Sequence, residues 1–204
     1  MLKVFGMLQS GNCFKVKMLL TFLGIEHEWI NTDVMKGESR TPEFLAMNPN
    51  GKIPSVLLED GRVLSESNAI LGYFAEDTPF LPSDRYTKAK VYEWLFFEQY
   101  SHEPKIAVAR FIKVFQNMPE ARKAEYEKLF EGGYKALDLM EATLSKQDYL
   151  VGDSLTIADI CLYGYTHVAD EGGFDMSRYP GIRAWCERIA SREGYRDMND
   201  QPRS

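Results

Sequence analysis

Residues 48–70, NPNGKIPSVLLEDGRVLSESNAI, contain the pattern that decides the fold. Two short apolar runs, 55–59 and 62–64, flank Asp60-Gly61, a dipeptide that supplies the positive φ angles of a tight hairpin turn. This arrangement predicts two antiparallel strands. Because the residues that follow are apolar at helical spacing, a helix is predicted over 65–76.

The chain before this stretch predicts a βαβ unit. Runs at 2–5 and 27–34 are typical of strands, and the apolar spacing over 12–23 is typical of a helix. We expect the two strands to be parallel, with a right-handed crossover. A short helix is predicted within 41–48. The order βαβ-α-ββα gives a small mixed sheet covered by helices, so the sequence predicts an α/β, thioredoxin-like domain over 1–77.

The rest of the chain predicts a second, all-α domain. Residues 78–86 hold two prolines and are interpreted as an extended linker. Beyond it the apolar pattern is helical for long stretches, which indicates a helical bundle over 87–204. Thr156 and Asp159 are spaced as a capping box, and they mark the start of one of these helices.

Composition excludes several classes of protein. The 204 residues are 45% hydrophobic and 26% charged, which is ordinary for globular proteins and argues against a collagen-like, coiled-coil or disordered chain. The net charge of −6 disfavours a nucleic-acid-binding surface. Since neither a membrane-spanning run nor a signal-peptide pattern is visible, we expect no membrane partner and a cytoplasmic location. The three cysteines and three histidines lack the spacing of a metal site, so no metal is expected.

Residues 48–57 and 66–70 together resemble the glutathione-binding half of cytosolic glutathione transferases, in which a K-[IV]-P motif and an E-S pair at a helix start hold the tripeptide. The helical second half is also similar to that family, so the resemblance covers nearly the whole chain. It implies a detoxification-type transferase with glutathione as co-substrate and a small hydrophobic electrophile as second substrate. It also implies a homodimer that meets near Ser67 and within 92–100.

The chemistry of these motifs agrees with a peptide-binding site. A cis bond before Pro54 would turn the amide and carbonyl of Ile53 outward, where they can pair with an extended peptide as a strand does. Ser67 offers a hydroxyl and a helix N-terminus to a carboxylate. Glu66 can accept a hydrogen bond from an ammonium group, and Lys52 can meet a carboxylate. The simpler alternatives are a strand-edge proline for Pro54 and an ordinary helix cap for Ser67.

The reacting group is expected at the start of the first helix. The resemblance implies that Ser10 donates a hydrogen bond to the glutathione sulfur, as in theta-like and many bacterial transferases. Ser10-Gly11-Asn12 is also similar to the T-x-N pattern of the nu class, so Asn12 is a second candidate donor. Cys13 lies past the position of the cysteine in cysteine-using classes, and we interpret it as a small buried residue. The alternative for Ser10 and Asn12 is that they only cap the helix.

For the acceptor, the resemblance implies an apolar pocket between the domains. The candidates are Met7, Leu8, His102, Ile106, Arg110 and Phe111. Two other activities stay open: a glutathione-dependent disulfide reductase or peroxidase, suggested by the nu-like pattern, and a binding or regulatory protein without turnover.

Overall fold

The computed structural model describes residues 1–200 and divides the chain into two compact units. The first unit contains residues 1–76 together with the described residues from 192 onward, and the second contains residues 77–191. The sequence predicted that residues 87–204 all belong to the helical domain. The structure differs in its tail, because residues 192–200 belong to the first unit.

The first unit is built on a four-stranded mixed sheet. Its strands are β1 Lys3–Gly6, β2 Glu28–Asn31, β3 Ser55–Leu57 and β4 Val63–Ser65. They lie in the order β2-β1-β3-β4. β1 is parallel to β2 and antiparallel to β3, and β3 is antiparallel to β4. The predicted βαβ unit and antiparallel hairpin are therefore both confirmed. The hairpin turn differs from the expected tight turn, because residues 58–62 connect the strands and, of Asp60 and Gly61, only Gly61 has a positive φ, of 85°.

Three helices accompany this sheet: α1 Gly11–Leu23, α2 Pro42–Met47 and α3 Ser67–Ala75. Val4 and Val56 are cross-strand partners, so their side chains emerge on the same face of the sheet. Both are fully buried in one cluster with Val16 and Leu20 of α1 and Ile70 of α3. The apolar alternation of the strands thus meets the apolar faces of two helices, and this contact forms the core that positions the start of each helix.

Lys17 of α1 anchors the tail to the first unit. Its side chain is only 1% exposed. Its Nζ donates hydrogen bonds to the backbone carbonyls of Asp197, Met198 and Asp200 at 2.7, 2.8 and 2.8 Å. Burial lowers the pKa of the Lys17 amine from 10.5 to about 8, while the carboxylates of Asp197 and Asp200 act in the opposite direction.

This shift makes stability depend on pH in the alkaline range. Between pH 8 and 10.5 the Lys17 amine is protonated to a greater extent in the unfolded chain than in the folded chain. The contribution of this group to the free energy of unfolding therefore increases as pH rises. The test is chemical denaturation of the unmodified protein and of Lys17→Met at pH 8 and at pH 10. From pH 8 to pH 10, we expect the free energy of unfolding of the unmodified protein to rise by about 1–2 kcal/mol more than that of Lys17→Met. An identical difference between the two proteins at both pH values would contradict this.

The second unit is helical, as predicted. Its helices are α4 Arg85–Phe97, α5 Glu103–Arg110, α6 Lys123–Leu144, α7 Ile157–Thr166 and α8 Pro180–Ala190. π-helical turns at Glu98–His102 and Phe111–Phe115 precede and follow α5. Among residues 1–200, no helix combines the length and the apolar character that a membrane span requires.

The predicted capping box begins α7. Thr156 Oγ1 accepts from the backbone N–H of Ala158 at 3.2 Å, and the Asp159 carboxylate accepts from the backbone N–H of Thr156 at 2.9 Å. Asp159 is fully buried and also accepts from Leu150 N at 2.8 Å and from Trp185 Nε1 at 3.0 Å. One carboxylate thus joins the start of α7 to the preceding loop and to α8.

Candidate functional site

The sheet register brings the three sequence motifs together at one end of the strands. Ser55, the first residue of β3, pairs with Phe5 near the end of β1 and with Ser65 at the end of β4. The loop that enters β3, the loop that leads from β1 to α1 and the start of α3 therefore lie side by side. The loop that enters β3 holds the K-I-P segment. Ser10 ends the loop between β1 and α1, and Ser67 is the first residue of α3.

Ser10 is the N-cap of α1. Its backbone is extended, with φ −82° and ψ 120°, and its Oγ accepts a hydrogen bond from Cys13 N at 3.4 Å. A serine hydroxyl that accepts one hydrogen bond still has its own proton to donate. Ser10 is half-buried, so this hydroxyl stands at the N-terminus of a helix, where the backbone dipole favours an anion.

Asn12 links the starts of α1 and α3. Its Oδ1 accepts from Ser67 Oγ at 3.2 Å, across 55 residues of sequence, and from Lys15 Nζ at 2.8 Å. The structure thus brings together two site candidates that the sequence had placed in separate motifs. In this arrangement the Ser67 hydroxyl donates to Asn12, which leaves the backbone N–H groups at the start of α3 as the donors suited to a carboxylate.

The start of α3 has an unusual backbone. Glu66, which is exposed, adopts φ 67° and ψ 114°, a conformation that residues with side chains rarely occupy. Such a residue costs about 1–3 kcal/mol, and conformations of this kind cluster at ligand-binding sites. The Glu66 side chain does not cap the helix. Ser67 is 5% exposed, so its position is set by packing as well as by the bond to Asn12.

The loop before β3 holds Lys52, Ile53 and Pro54. The Ile53–Pro54 peptide bond is cis. Pro54 is buried, Ile53 is half-buried and Lys52 is exposed, so accessibility within this triplet increases toward Lys52. Ile53 therefore keeps accessible surface that strand-like pairing requires, and the exposed Lys52 precedes it in the sequence.

Asn48 organises this loop, although the sequence motifs predicted no role for it in the site. Its Nδ2 donates to Lys52 O at 2.9 Å and to Ser55 Oγ at 2.9 Å, while its Oδ1 accepts from Asn50 N at 3.1 Å. The side chain is 4% exposed. The available signal was the order Asn-Pro-Asn-Gly, because an asparagine commonly accepts from the N–H two residues later in such turns.

Cys13 does not have the environment of a reactive thiol. The residue is fully buried, and burial raises the pKa of its thiol to about 11. At neutral pH the thiolate, which is the nucleophilic form, is therefore a very small fraction.

The six acceptor-site candidates are divided between the units. Met7 and Leu8 of the first unit are half-buried, as is Phe111 of the second. His102 and Ile106 are fully buried and present no surface to a substrate in this conformation.

Hydrogen bonds account for two of the buried candidates. Thr166 Oγ1 donates to Leu162 O at 2.7 Å, so the 2.9 Å contact between His102 Nε2 and this oxygen is a bond donated by the histidine. Arg110 is 5% exposed and donates through Nε to Glu171 Oε2 at 2.6 Å. These contacts give His102 and Arg110 structural partners within the second unit.

Two family models match the chain. The model of the glutathione S-transferase N-terminal domain covers residues 9–77, and the model of the C-terminal domain covers residues 92–193. This chain belongs to the glutathione S-transferase family. The resemblance predicted from the motifs is thereby confirmed, and glutathione is the co-substrate of this family.

Relatives and solved structures agree with this transferase family over nearly the full chain. A glutathione S-transferase structure from Pseudomonas fluorescens Pf-5 is 56% identical, with a TM-score of 0.96, and covers 98% of this chain and 99% of its own. Glutathione S-transferase 3 of Zea mays is 34% identical over 206 residues, covering 95% of this chain and 91% of the relative. The structure of Ure2p in complex with glutathione is 26% identical, with a TM-score of 0.83, and covers 95% and 90% of the two chains.

Proposed function

We propose that this glutathione S-transferase binds reduced glutathione at the end of the sheet where α1 and α3 begin and where the loop enters β3. The observation that carries the proposal is the hydrogen bond from Ser67 to Asn12, which joins two helix N-termini into one anion-favouring surface. The γ-glutamyl carboxylate binds the N-terminus of α3, and Glu66 accepts from the ligand's ammonium group. The backbone of Ile53 pairs with the peptide, and Lys52 meets a carboxylate.

Ser10 and Asn12 stabilise the glutathione thiolate in this proposal. The Ser10 hydroxyl donates to the sulfur at the N-terminus of α1, and the Asn12 carboxamide supplies a second N–H donor. Lowering a thiol pKa by two units from about 8.5 requires about 2.7 kcal/mol, which a charge-assisted hydrogen bond and a helix terminus can supply. The thiolate then attacks the electrophile, so the protein needs no nucleophile of its own.

Glutathione binding is tested by calorimetry. We expect a dissociation constant in the millimolar range or tighter for glutathione, and weaker binding of a tripeptide that lacks the γ-glutamyl carboxylate. No heat of binding at millimolar glutathione would overturn the proposal.

The second candidate reaction is reduction of disulfides or peroxides. The Ser10-Gly11-Asn12 pattern favours it, and the burial of Cys13 means that both reducing thiols would come from glutathione. Two glutathiones then reduce one disulfide to two thiols and leave as oxidised glutathione. The turnover of a chlorinated aromatic electrophile compared with that of hydroxyethyl disulfide distinguishes the two reactions. Binding without turnover in either assay would favour a regulatory protein.

The acceptor is a small, largely apolar electrophile. Met7, Leu8 and Phe111 support this part of the proposal, because they are the apolar candidates that keep accessible surface. His102, Ile106 and Arg110 are buried and would act by packing within the second unit. A cytoplasmic location completes the proposal.

A homodimer is the expected assembly. Tyr92, Phe96 and Tyr100 follow one another at intervals of four residues along α4 and the next π-helical turn, and they are 37%, 72% and 87% exposed. Exposed aromatic side chains on one helical face are typical of a protein–protein contact.

We expect light scattering to give the mass of two chains. Phe96→Glu should weaken the dimer at least tenfold, because it places a charge in an apolar contact. Leu139→Glu, at a similarly exposed apolar residue of α6, is the matched control and should leave the mass unchanged. A monomeric unmodified protein, or equal effects of the two changes, would contradict the assignment.

A further inference from the structure

Lys15 is a fully buried lysine one turn into α1. Its side chain has no exposed surface, and its Nζ donates to Asn12 Oδ1 at 2.8 Å. Lysine is almost never fully buried in proteins unless its ammonium group has polar partners. Here one such partner is Asn12, the candidate hydrogen-bond donor to the thiolate, which lies three residues earlier on the same helix.

This contact fixes which way the Asn12 carboxamide faces. The amide oxygen and nitrogen of asparagine are nearly identical in shape, so hydrogen-bond partners decide the orientation. An ammonium group has three donors and no acceptor, and the Ser67 hydroxyl also donates to the same oxygen. Turning the amide over would place its NH2 group against the Lys15 ammonium, so the oxygen faces Lys15 and the NH2 group lies on the other side.

We propose that Lys15 is a positioning residue that orients the Asn12 amide so that its N–H donors serve the glutathione sulfur. This inference rests on the proposed role of Asn12 in stabilising the thiolate. Hydrogen bonds in a chain also polarise one another, so a donor on the amide oxygen strengthens the donors on the amide nitrogen. Lys15 therefore acts on the thiol through Asn12 and does not touch the substrate itself.

The second buried lysine of α1 is a matched control. Lys17 lies two residues further along and is 1% exposed, but its Nζ binds the backbone carbonyls of residues 197, 198 and 200. Replacing either lysine by methionine removes one buried ammonium group from the same helix. The Nζ of Lys15, in contrast, donates to Asn12, and this is the bond that the proposal uses.

The decisive measurement is the pKa of the bound glutathione thiol, followed by ultraviolet absorbance of the thiolate across a pH series. For Lys15→Met we expect this pKa to rise by about one unit. At pH values below the thiol pKa of the unmodified protein, kcat/KM should then fall about tenfold, and at pH values where the thiol is ionised in both proteins it should be unchanged. Lys15→Arg keeps an N–H donor and should restore the pKa. Lys17→Met should lower stability but leave the thiol pKa unchanged.

A double-mutant cycle tests whether Lys15 acts through Asn12. Asn12→Ala combined with Lys15→Met should raise the thiol pKa no further than Asn12→Ala alone. Additive effects, or a Lys15→Met protein with the unmodified thiol pKa, would overturn the inference while leaving glutathione binding intact. Failure of the unmodified protein to lower the thiol pKa would overturn the proposed role of the site as well.

A further variant keeps the test valid if Lys15→Met does not fold. Asn12→Asp places a carboxylate against the Lys15 ammonium and the Ser67 hydroxyl, so the protein should be at least as stable as the unmodified one. Its thiol pKa should rise, since the donor is lost and a negative charge is added. An Asn12→Asp protein that unfolds as easily as Asn12→Leu would overturn the Lys15–Asn12 contact.

Discussion

Ser10→Ala is expected to lower kcat/KM for conjugation about 100-fold at neutral pH. This is the usual effect of removing one hydrogen-bond donor from an anion in an active site, and the anion here is the glutathione thiolate. The Ser10 hydroxyl stands at the N-terminus of α1, and its removal takes away one of the two side-chain donors proposed for the sulfur. The loss should shrink at high pH, where glutathione ionises without help. Conjugation rates across a pH series, with glutathione saturating, measure both effects.

The structural cost of the same change is separable from its chemical effect. Ser10 Oγ caps α1 by accepting from Cys13 N, and loss of such a cap costs about 1 kcal/mol. Asp84→Ala is the matched control, because Asp84 caps α4 by accepting from Thr87 N at 2.8 Å. It should cost similar stability and leave turnover unchanged. Full turnover in Ser10→Ala would remove Ser10 from the mechanism and leave it a helix cap.

Features encoded by neighbouring residues were predictable from the sequence. The Asp60-Gly61 turn fixes the β3–β4 hairpin locally, and the residues of the α7 capping box lie three positions apart. The family motif around Lys52 and Ser67 is likewise a short pattern. Each of these signals survives in the sequence because its partners are a few residues away.

Contacts between distant residues were not predictable. The bond between Asn12 and Ser67 joins residues 55 positions apart, and no periodicity specifies it. Lys15 and Lys17 illustrate a second reason: a charged residue in a helix usually marks the solvent face, yet both are buried because α1 is covered on most sides. Burial of a polar group depends on the partners that tertiary packing supplies.

The acceptor candidates show the same difficulty in the second unit. The sequence placed His102 and Ile106 on a helical stretch, but spacing alone does not distinguish a residue that borders a cavity from one in the core. The structure places both in the core. The place of the tail in the first unit was not predictable for a related reason, since the hydrogen bonds of Lys17 to residues 197, 198 and 200 have no counterpart in the apolar pattern.

Asp159→Ala is expected to lower the free energy of unfolding by about 3–5 kcal/mol, the largest effect on stability that we predict. The carboxylate is fully buried and accepts from Leu150 N, from Thr156 N and Oγ1, and from Trp185 Nε1. Alanine leaves these donors in a buried space without their acceptor, and each unsatisfied group costs about 1–3 kcal/mol. Urea denaturation monitored by circular dichroism measures the loss.

Two comparison variants distinguish the buried network from ordinary capping. Asp175→Ala removes an exposed aspartate that accepts from Ser177 N at 3.1 Å, so it should cost only about 0.5–1 kcal/mol. Asp159→Asn keeps one acceptor oxygen but turns an NH2 group toward donors, and its cost should fall between those of the two alanine variants. Equal losses for Asp159→Ala and Asp175→Ala would mean that Asp159 acts only as a helix cap. A larger loss for Asp159→Ala would show that this carboxylate holds α7, α8 and the loop before α7 together, because it accepts from donors in all three.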